Sequence, residues 1–215
     1  MKEKRLFLKA AMFILFVVGG CSKEGIDNPG DGKNVYVINV KYPEGESCSR
    51  VEFVELVCNY TTILKVDFVD FGFTAKLPET VDDFLLEKIT DNMPKGLKIT
   101  NPEAKITYLT LRGSNQASKS SSYKYYMYFE YRNMASNGDD TAPETEGDYV
   151  YVDSDVKITG TVIEDFYNTP LVYSLALKKG WNLIFCTVDH THEKNKTTYS
   201  NKEPKGMQWW ARDNF

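Results

Sequence analysis

Short apolar runs recur along the chain from residue 35 onward, and residues that favour turns separate them. Alternation of apolar and polar residues is typical of half-buried β-strands, and continuous apolar runs of about four to eight residues are typical of fully buried strands. The runs span 35–40, 51–58, 63–76, 104–111, 123–131, 149–161, 171–178 and 181–188. This pattern predicts an all-β fold with a β-sandwich-like body.

One segment, 80–89, departs from the strand pattern and predicts a short helix. Thr80 and Asp83 have the spacing of a capping box, in which side chains bond free backbone N–H groups of the first turn. The apolar positions at helical spacing are Val81, Phe84, Leu85 and Ile89. We expect this helix to cover one end of the sheets.

The dipeptide Lys179-Gly180 predicts a tight turn between two paired strands. With these residues as the turn, the register pairs Leu177 with Asn182, Leu175 with Ile184, Tyr173 with Cys186 and Leu171 with Val188. Cys186 then lies on the apolar side of the sheet. Trp181 has the opposite parity, so we expect it on a mixed face that is only partly covered.

Aromatic residues supply the candidates for ligand binding. In the run 123–131, alternation assigns one face to the core, namely Tyr123, Tyr125, Met127, Phe129 and Tyr131. Tyr126 and Tyr128 face the other way, as half-exposed rings able to stack on a sugar or on another protein. Of the adjacent Trp209 and Trp210 only one can be buried, and Trp181 is a further candidate. Simple cross-strand packing is the alternative for all five.

The N-terminus predicts a lipoprotein signal peptide. Four basic residues precede the uncharged segment 10–20, which is too short to cross a bilayer, and Val18-Gly19-Gly20-Cys21 has the form of a lipobox. Cleavage after residue 20 leaves Cys21 as the acylated first residue, so the membrane is an expected partner. Residues 21–34 then form a polar, flexible tether. Residues 35–215 form one β-sandwich-like domain or two β subdomains, 35–112 and 123–215.

Charge and cysteine content narrow the class of protein. The chain has 26 basic and 30 acidic residues, a net charge of −4, and loss of residues 1–20 makes it −7. An acidic exported chain is not expected to bind nucleic acid. With Cys21 acylated, Cys48, Cys58 and Cys186 permit at most one disulfide, and three separate thiols are the alternative that we favour.

Two acid- or histidine-containing segments raise the question of a metal. His190 and His192 share a strand face if the strand persists, and they bind Zn²⁺ only with a third ligand, which the sequence does not identify. Asp153 and Asp155, with Asp148 or the acidic loop 139–146, have the hard oxygens that Ca²⁺ prefers. Exposed, solvated side chains are the alternative in both cases. There is no G-x-S-x-G motif, and we expect neither an enzyme nor a cofactor.

A family resemblance rests on three sequence segments, on the lipobox and on Cys21-Ser22-Lys23-Glu24. The segments are 72–78 (GFTAKLP), 149–161 (YVYVDSDVKITGT) and 177–182 (LKKGWN). The chain resembles the uncharacterised lipoproteins of Bacteroides-type Gram-negative bacteria, which implies a β-sandwich-like body at the outer membrane. In these bacteria an acidic stretch after the lipidated cysteine marks export to the cell surface. Lys23 interrupts that stretch here, so the outer and the periplasmic face of the outer membrane are both retained as locations. Asp140-Thr141-Ala142 resembles their O-glycosylation site, with Thr141 as the acceptor.

We therefore expect a lipid-anchored protein of the cell envelope with a non-enzymatic binding or accessory role. A glycan or another envelope protein is the expected partner, and exposed Tyr or Trp rings are the expected contact. The alternative is an adhesin- or fimbria-like structural subunit, which predicts an open sheet edge or a detachable strand at 35–40. A metal-dependent enzyme at His190 and His192 is a third hypothesis.

Overall fold

The computed structural model describes residues 37–41, 51–114, 127–133, 143–164, 169–190 and 195–213. The predicted all-β fold is confirmed. Fourteen strands lie in these residues: β1 Val37–Lys41, β2 Phe53–Cys58, β3 Thr61–Asp67, β4 Gly72–Lys76, β5 Glu87–Lys88, β6 Lys98–Ile99, β7 Lys105–Ser114, β8 Met127–Asn133, β9 Glu144–Val152, β10 Val156–Glu164, β11 Thr169–Leu177, β12 Gly180–Asp189, β13 Lys196–Ser200 and β14 Gln208–Asp213.

Several predictions fall outside the described residues. These are the signal peptide 1–20, the lipidated Cys21, the tether 21–34, and the candidate residues Tyr126, Thr141 and His192. Within the described ranges, no helix has the length and apolar character needed to cross a membrane.

The strands form a large sheet and a small one. The small sheet is the antiparallel pair β1 and β4. The large sheet has twelve strands, ten of them in the order β3-β2-β7-β8-β9-β12-β13-β11-β10-β6, with β14 on β8 and β5 on β7. It includes strands from both 35–112 and 123–215. Because β7 pairs with β8 through 111–113 and with β9 through 106–108, these three strands form a fork.

The large sheet has an apolar core on each face. The first core lies between the small sheet and the faces of β2, β7, β8, β9 and β12, where Ile38, Leu56, Phe129 and Trp181 are buried. The second core lies where β10 and β11 fold over β7, β9 and β12, and it contains Ile158, Leu175, Val150 and Ile184. Strands β9 and β12 are therefore covered on both faces, which makes the body sandwich-like.

The segment 80–89 contains the short helical structure that we predicted, but as separate turns and not as one amphipathic helix. A 3-10 turn spans Asp83–Leu85, extended residues follow, and the α-helix α1 spans only Ile89–Asn92. The residue before the first turn is Asp82, whose side chain makes no capping hydrogen bond, so the predicted capping box is wrong. Leu85 and Ile89 are buried as expected, but Phe84 is exposed, because the extended residues interrupt the helical spacing.

The predicted hairpin at Lys179-Gly180 is also wrong. Strand β11 pairs with β10 on one side and with β13 on the other, and β12 pairs with β9 and β13. Strand β13 thus separates the two strands that we expected to face each other. The Asn182 side chain stabilises the bend instead: its Oδ1 accepts a hydrogen bond from the Lys178 N–H at 2.9 Å and its Nδ2 donates to Lys178 O at 2.7 Å.

Candidate functional site

A row of registered residues crosses seven strands of the large sheet. From β14 to β10 the partners are Gln208, Arg132, Glu146, Cys186, Tyr199, Tyr173 and Gly160. Directly paired residues place their side chains on the same face of a sheet. Charged side chains of β8 and β9 therefore share a face with two tyrosines of β13 and β11, and the Arg132 Nη1 to Glu130 Oε2 ion pair of 3.1 Å borders them.

Three tyrosines converge on this face around one cysteine. The rings of Tyr173 and Tyr199 stack, with centroids 4.5 Å apart and planes inclined by 11°. The hydroxyl of Tyr199 hydrogen-bonds to Cys186, and Tyr108 of β7 lies within electrostatic range of Asp148, Tyr173 and Cys186. We call these five residues the tyrosine face. It is the outer end of the second core, since Tyr173 belongs to that core and Tyr199 packs against it.

Burial disfavours ionisation of the thiol and of the three tyrosine hydroxyls of the tyrosine face. It raises the pKa of Cys186 to about 12, against a smaller lowering by the hydrogen bond from Tyr199, and raises the pKa of Tyr173 to about 12. Burial also raises the pKa of Tyr108 and of Tyr199. The Tyr108 side chain is 39% exposed, so its ring reaches solvent while its hydroxyl is desolvated near Asp148. The face offers hydrogen bonds and ring surfaces rather than a nucleophile.

The raised pKa of Cys186 predicts a slow thiol. In a variant with Cys21→Ala, Cys48→Ala and Cys58→Ala, we expect a disulfide reagent at pH 8 to label the folded protein at least about 100-fold more slowly than the urea-unfolded protein, because only the thiolate reacts. The rate should rise with pH as the thiol approaches its raised pKa. Labelling of the folded protein at the unfolded rate would contradict the burial of this thiol.

The candidate tryptophans do not form an exposed platform. Trp181 is fully buried, its Nε1 donates to Pro78 O at 2.8 Å, and its ring meets Tyr151 edge-to-face, so the prediction of a partly covered Trp181 is wrong. Trp209 is also buried and lines a cavity of about 50 Å³ at the fork of β7, β8 and β9, which has room for a few water molecules. Trp210 is half-buried on the opposite face of β14, where Tyr128 is half-buried on β8.

The candidate metal ligands have other partners or lie apart. Asp153 Oδ1 accepts hydrogen bonds from the Lys105 N–H at 2.9 Å and from Ser154 Oγ at 2.8 Å. Asp155 accepts from Lys178 Nζ at 2.7 Å, and this bond lowers its pKa. His190 follows directly after β12. Across the described ranges, no three His, Cys, Asp or Glu side chains come together in a group that could hold a metal ion.

The sequence patterns did not identify the tyrosine face. Tyr199 lies in the polar segment after His192, where the sequence pattern predicted no strand, whereas the structure forms β13 there. The alternating β-branched and aromatic residues of Lys-Thr-Thr-Tyr-Ser were the available signal for a strand. Tyr108 lies within a predicted strand, but nothing local relates it to Tyr173, which is 65 residues away.

Comparison with known proteins gives no relative. No protein-family model, curated protein or solved structure matches this chain.

Proposed function

We propose that this protein is a lipid-anchored component of the cell envelope that binds a glycan without catalysing a reaction, and that the tyrosine face is its ligand-contacting surface. The lipobox at Cys21 supports the anchor, and the resemblance to Bacteroides-type lipoproteins supports an outer-membrane location. The observation that carries the proposal is the convergence of Tyr108, Tyr173 and Tyr199 beside Asp148.

The chemistry of the tyrosine face suits a sugar. A sugar ring has an apolar C–H face, which packs on aromatic rings, and hydroxyl groups that both donate and accept hydrogen bonds. Tyr108 supplies a partly exposed ring, and Asp148 and Glu146 supply acceptors on the same face. The neutral thiol of Cys186 and the neutral tyrosine hydroxyls favour reversible binding over covalent catalysis.

A binding measurement tests this proposal. The full chain is screened by calorimetry against purified neutral and acidic oligosaccharides, and the best ligand is then measured with Tyr108→Ala. We expect the loss of one ring contact to weaken binding about three- to tenfold. Tyr128→Ala is the control, because Tyr128 is a half-buried ring outside the tyrosine face, and it should keep the affinity within about twofold.

Two outcomes would contradict the proposal. One is the absence of binding to any oligosaccharide by a protein whose thermal unfolding is cooperative. The other is an affinity that Tyr108→Ala leaves unchanged.

The second candidate function is an adhesin- or fimbria-like assembly subunit, and strand β1 favours it. All five registered pairs of β1 are with β4, yet Ile38 and Val40 of β1 are buried in the first core. An extended strand from another copy could fill the same positions. A ladder of oligomers at high concentration, with no oligosaccharide bound, would favour this alternative.

A further inference from the structure

A strained turn exposes an aromatic side chain at one end of the large sheet. Asn59 and Tyr60 form the two-residue connection between β2 and β3, where Cys58 pairs with Thr61. Both have positive φ, 43° and 64°. Such turns favour Asn followed by Gly, because a side chain at the second position is strained in the left-handed region. Tyr60 occupies that second position.

A second turn in the same molecule shows how such strain is normally offset. Asp70 and Phe71 connect Val69 to Gly72 in the same way, with φ of 51° and 58°. The Phe71 side chain is half-buried, so packing compensates for its backbone. Tyr60 is 86% exposed, and the fold gains almost no contact from its ring. Uncompensated strain at an exposed residue points to a role outside folding.

A second exposed aromatic lies at the same edge of β7. Strand β2 pairs with this edge of β7, and its last pair is Cys58 with Leu109. Strand β5 pairs with the same edge further along, where Glu87 pairs with Ile106. Two residues of β7 lie between Leu109 and Ile106, a separation of about 10 Å, and the Asn59-Tyr60 turn begins directly after Cys58 at this gap. Phe84, in the 3-10 turn just before β5, is 70% exposed. The topology thus brings the two most exposed large hydrophobic side chains of the described residues to one end of the sheet.

Exposed acidic side chains precede and follow Phe84 in the chain, and one of them, Asp83, is paired with Lys105. The segment 79–91 has a net charge of −4, and its five acids are all exposed: Glu79, Asp82, Asp83, Glu87 and Asp91. Lys88 is its one basic residue, and its ammonium is already bonded to Glu103. Apolar rings within a negative rim match a ligand that combines cationic and apolar groups. An anionic surface would be repelled.

We propose that the surface formed by Tyr60, Phe84 and the acidic segment 79–91 is a docking site for a protein segment that carries basic side chains next to apolar ones. Tyr60 and Phe84 are the apolar anchors, and the carboxylates of the rim steer the basic residues toward them. This site does not depend on glycan binding by the tyrosine face.

Tyr60→Gly separates this role from folding. The substitution gives the turn its preferred sequence, Asn followed by Gly, so we expect the urea midpoint to stay equal or rise. The probe is a fluorescent synthetic peptide of lysine, serine and phenylalanine, and a peptide with glutamate in place of lysine is its counterpart. We expect the full chain to prefer the lysine peptide and Tyr60→Gly to weaken its binding at least about fivefold. Asn59→Gly relaxes the same turn but keeps the ring, and it should bind like the wild type.

Several results would overturn the proposal. They are an equal affinity of Tyr60→Gly for the lysine peptide, a preference of the wild type for the glutamate peptide, and Tyr60-dependent binding to neutral phosphatidylcholine vesicles in place of peptide. Retention of oligosaccharide binding by Tyr60→Gly distinguishes failure at this site from failure at the tyrosine face.

Discussion

Replacement of Trp181 by alanine is expected to lower the free energy of unfolding by about 3–5 kcal/mol. The side chain is fully buried in the first core, where its ring contacts Tyr151 at a centroid distance of 5.4 Å. Its Nε1 also donates to Pro78 O at 2.8 Å. Alanine would remove the ring, leave a cavity and leave that carbonyl without its donor, so both the packing and the hydrogen bond contribute to the loss.

Urea unfolding measures this effect, with two variants as controls. Trp181→Phe keeps an aromatic ring but loses the hydrogen bond to Pro78, and should cost about 1–3 kcal/mol. Trp210→Ala removes a half-buried ring from β14, and should cost less than about 1.5 kcal/mol. A loss for Trp181→Ala no larger than that for Trp210→Ala would show that β12 presents its other face to the first core.

Strands and their buried faces could be predicted from the sequence, because successive side chains of a strand point to opposite faces of the sheet. In β8, alternation correctly assigned Met127, Phe129 and Tyr131 to the core, and all three are buried. The same rule correctly required that only one of Trp209 and Trp210 be buried. These inferences need only the direction of successive side chains along a strand, so they hold whichever strands are neighbours.

A turn without glycine or proline gives little local signal in the sequence. The run 63–76 was interpreted as one strand, but it contains β3 and β4, which the Asp70-Phe71 turn separates. Phe71 gives no turn signal, because bulky residues rarely occupy the left-handed region. Conversely, Lys179-Gly180 gives a turn signal, and Gly180 does have a positive φ of 102°, but the strands on either side do not pair.

The tyrosine face depends on pairing between distant segments, and no local pattern specifies that. Tyr108, Tyr173 and Tyr199 belong to three strands, and the insertion of β13 between β11 and β12 brings two of them together. The predicted hairpin placed Tyr173 directly opposite Cys186. In the structure Tyr199 lies between them, so the two residues share a face but are one strand further apart. The sequence therefore correctly predicted that Tyr173 and Cys186 share a face, and wrongly predicted that they lie on neighbouring strands.

The second large effect on stability is expected for Thr198→Pro, because Thr198 lies in β13, between β11 and β12. Thr198 pairs with Val172 of β11 on one side and with Thr187 of β12 on the other. Every backbone N–H of a central strand points to one of its two neighbours, so proline at this position removes a hydrogen bond of the ladder and introduces a steric clash. We expect the free energy of unfolding to fall by about 3 kcal/mol or more.

Thr198→Ala is the matched control, because it removes the half-buried side chain but keeps the N–H. It should cost less than about 1 kcal/mol, and the difference between the two variants measures the backbone pairing of β13. If β11 and β12 instead paired directly, residues 196–200 would be an exposed strand end and proline would be tolerated there. Equal urea midpoints for Thr198→Pro and Thr198→Ala would then restore the hairpin at Lys179-Gly180, and the tyrosine face would lose Tyr199.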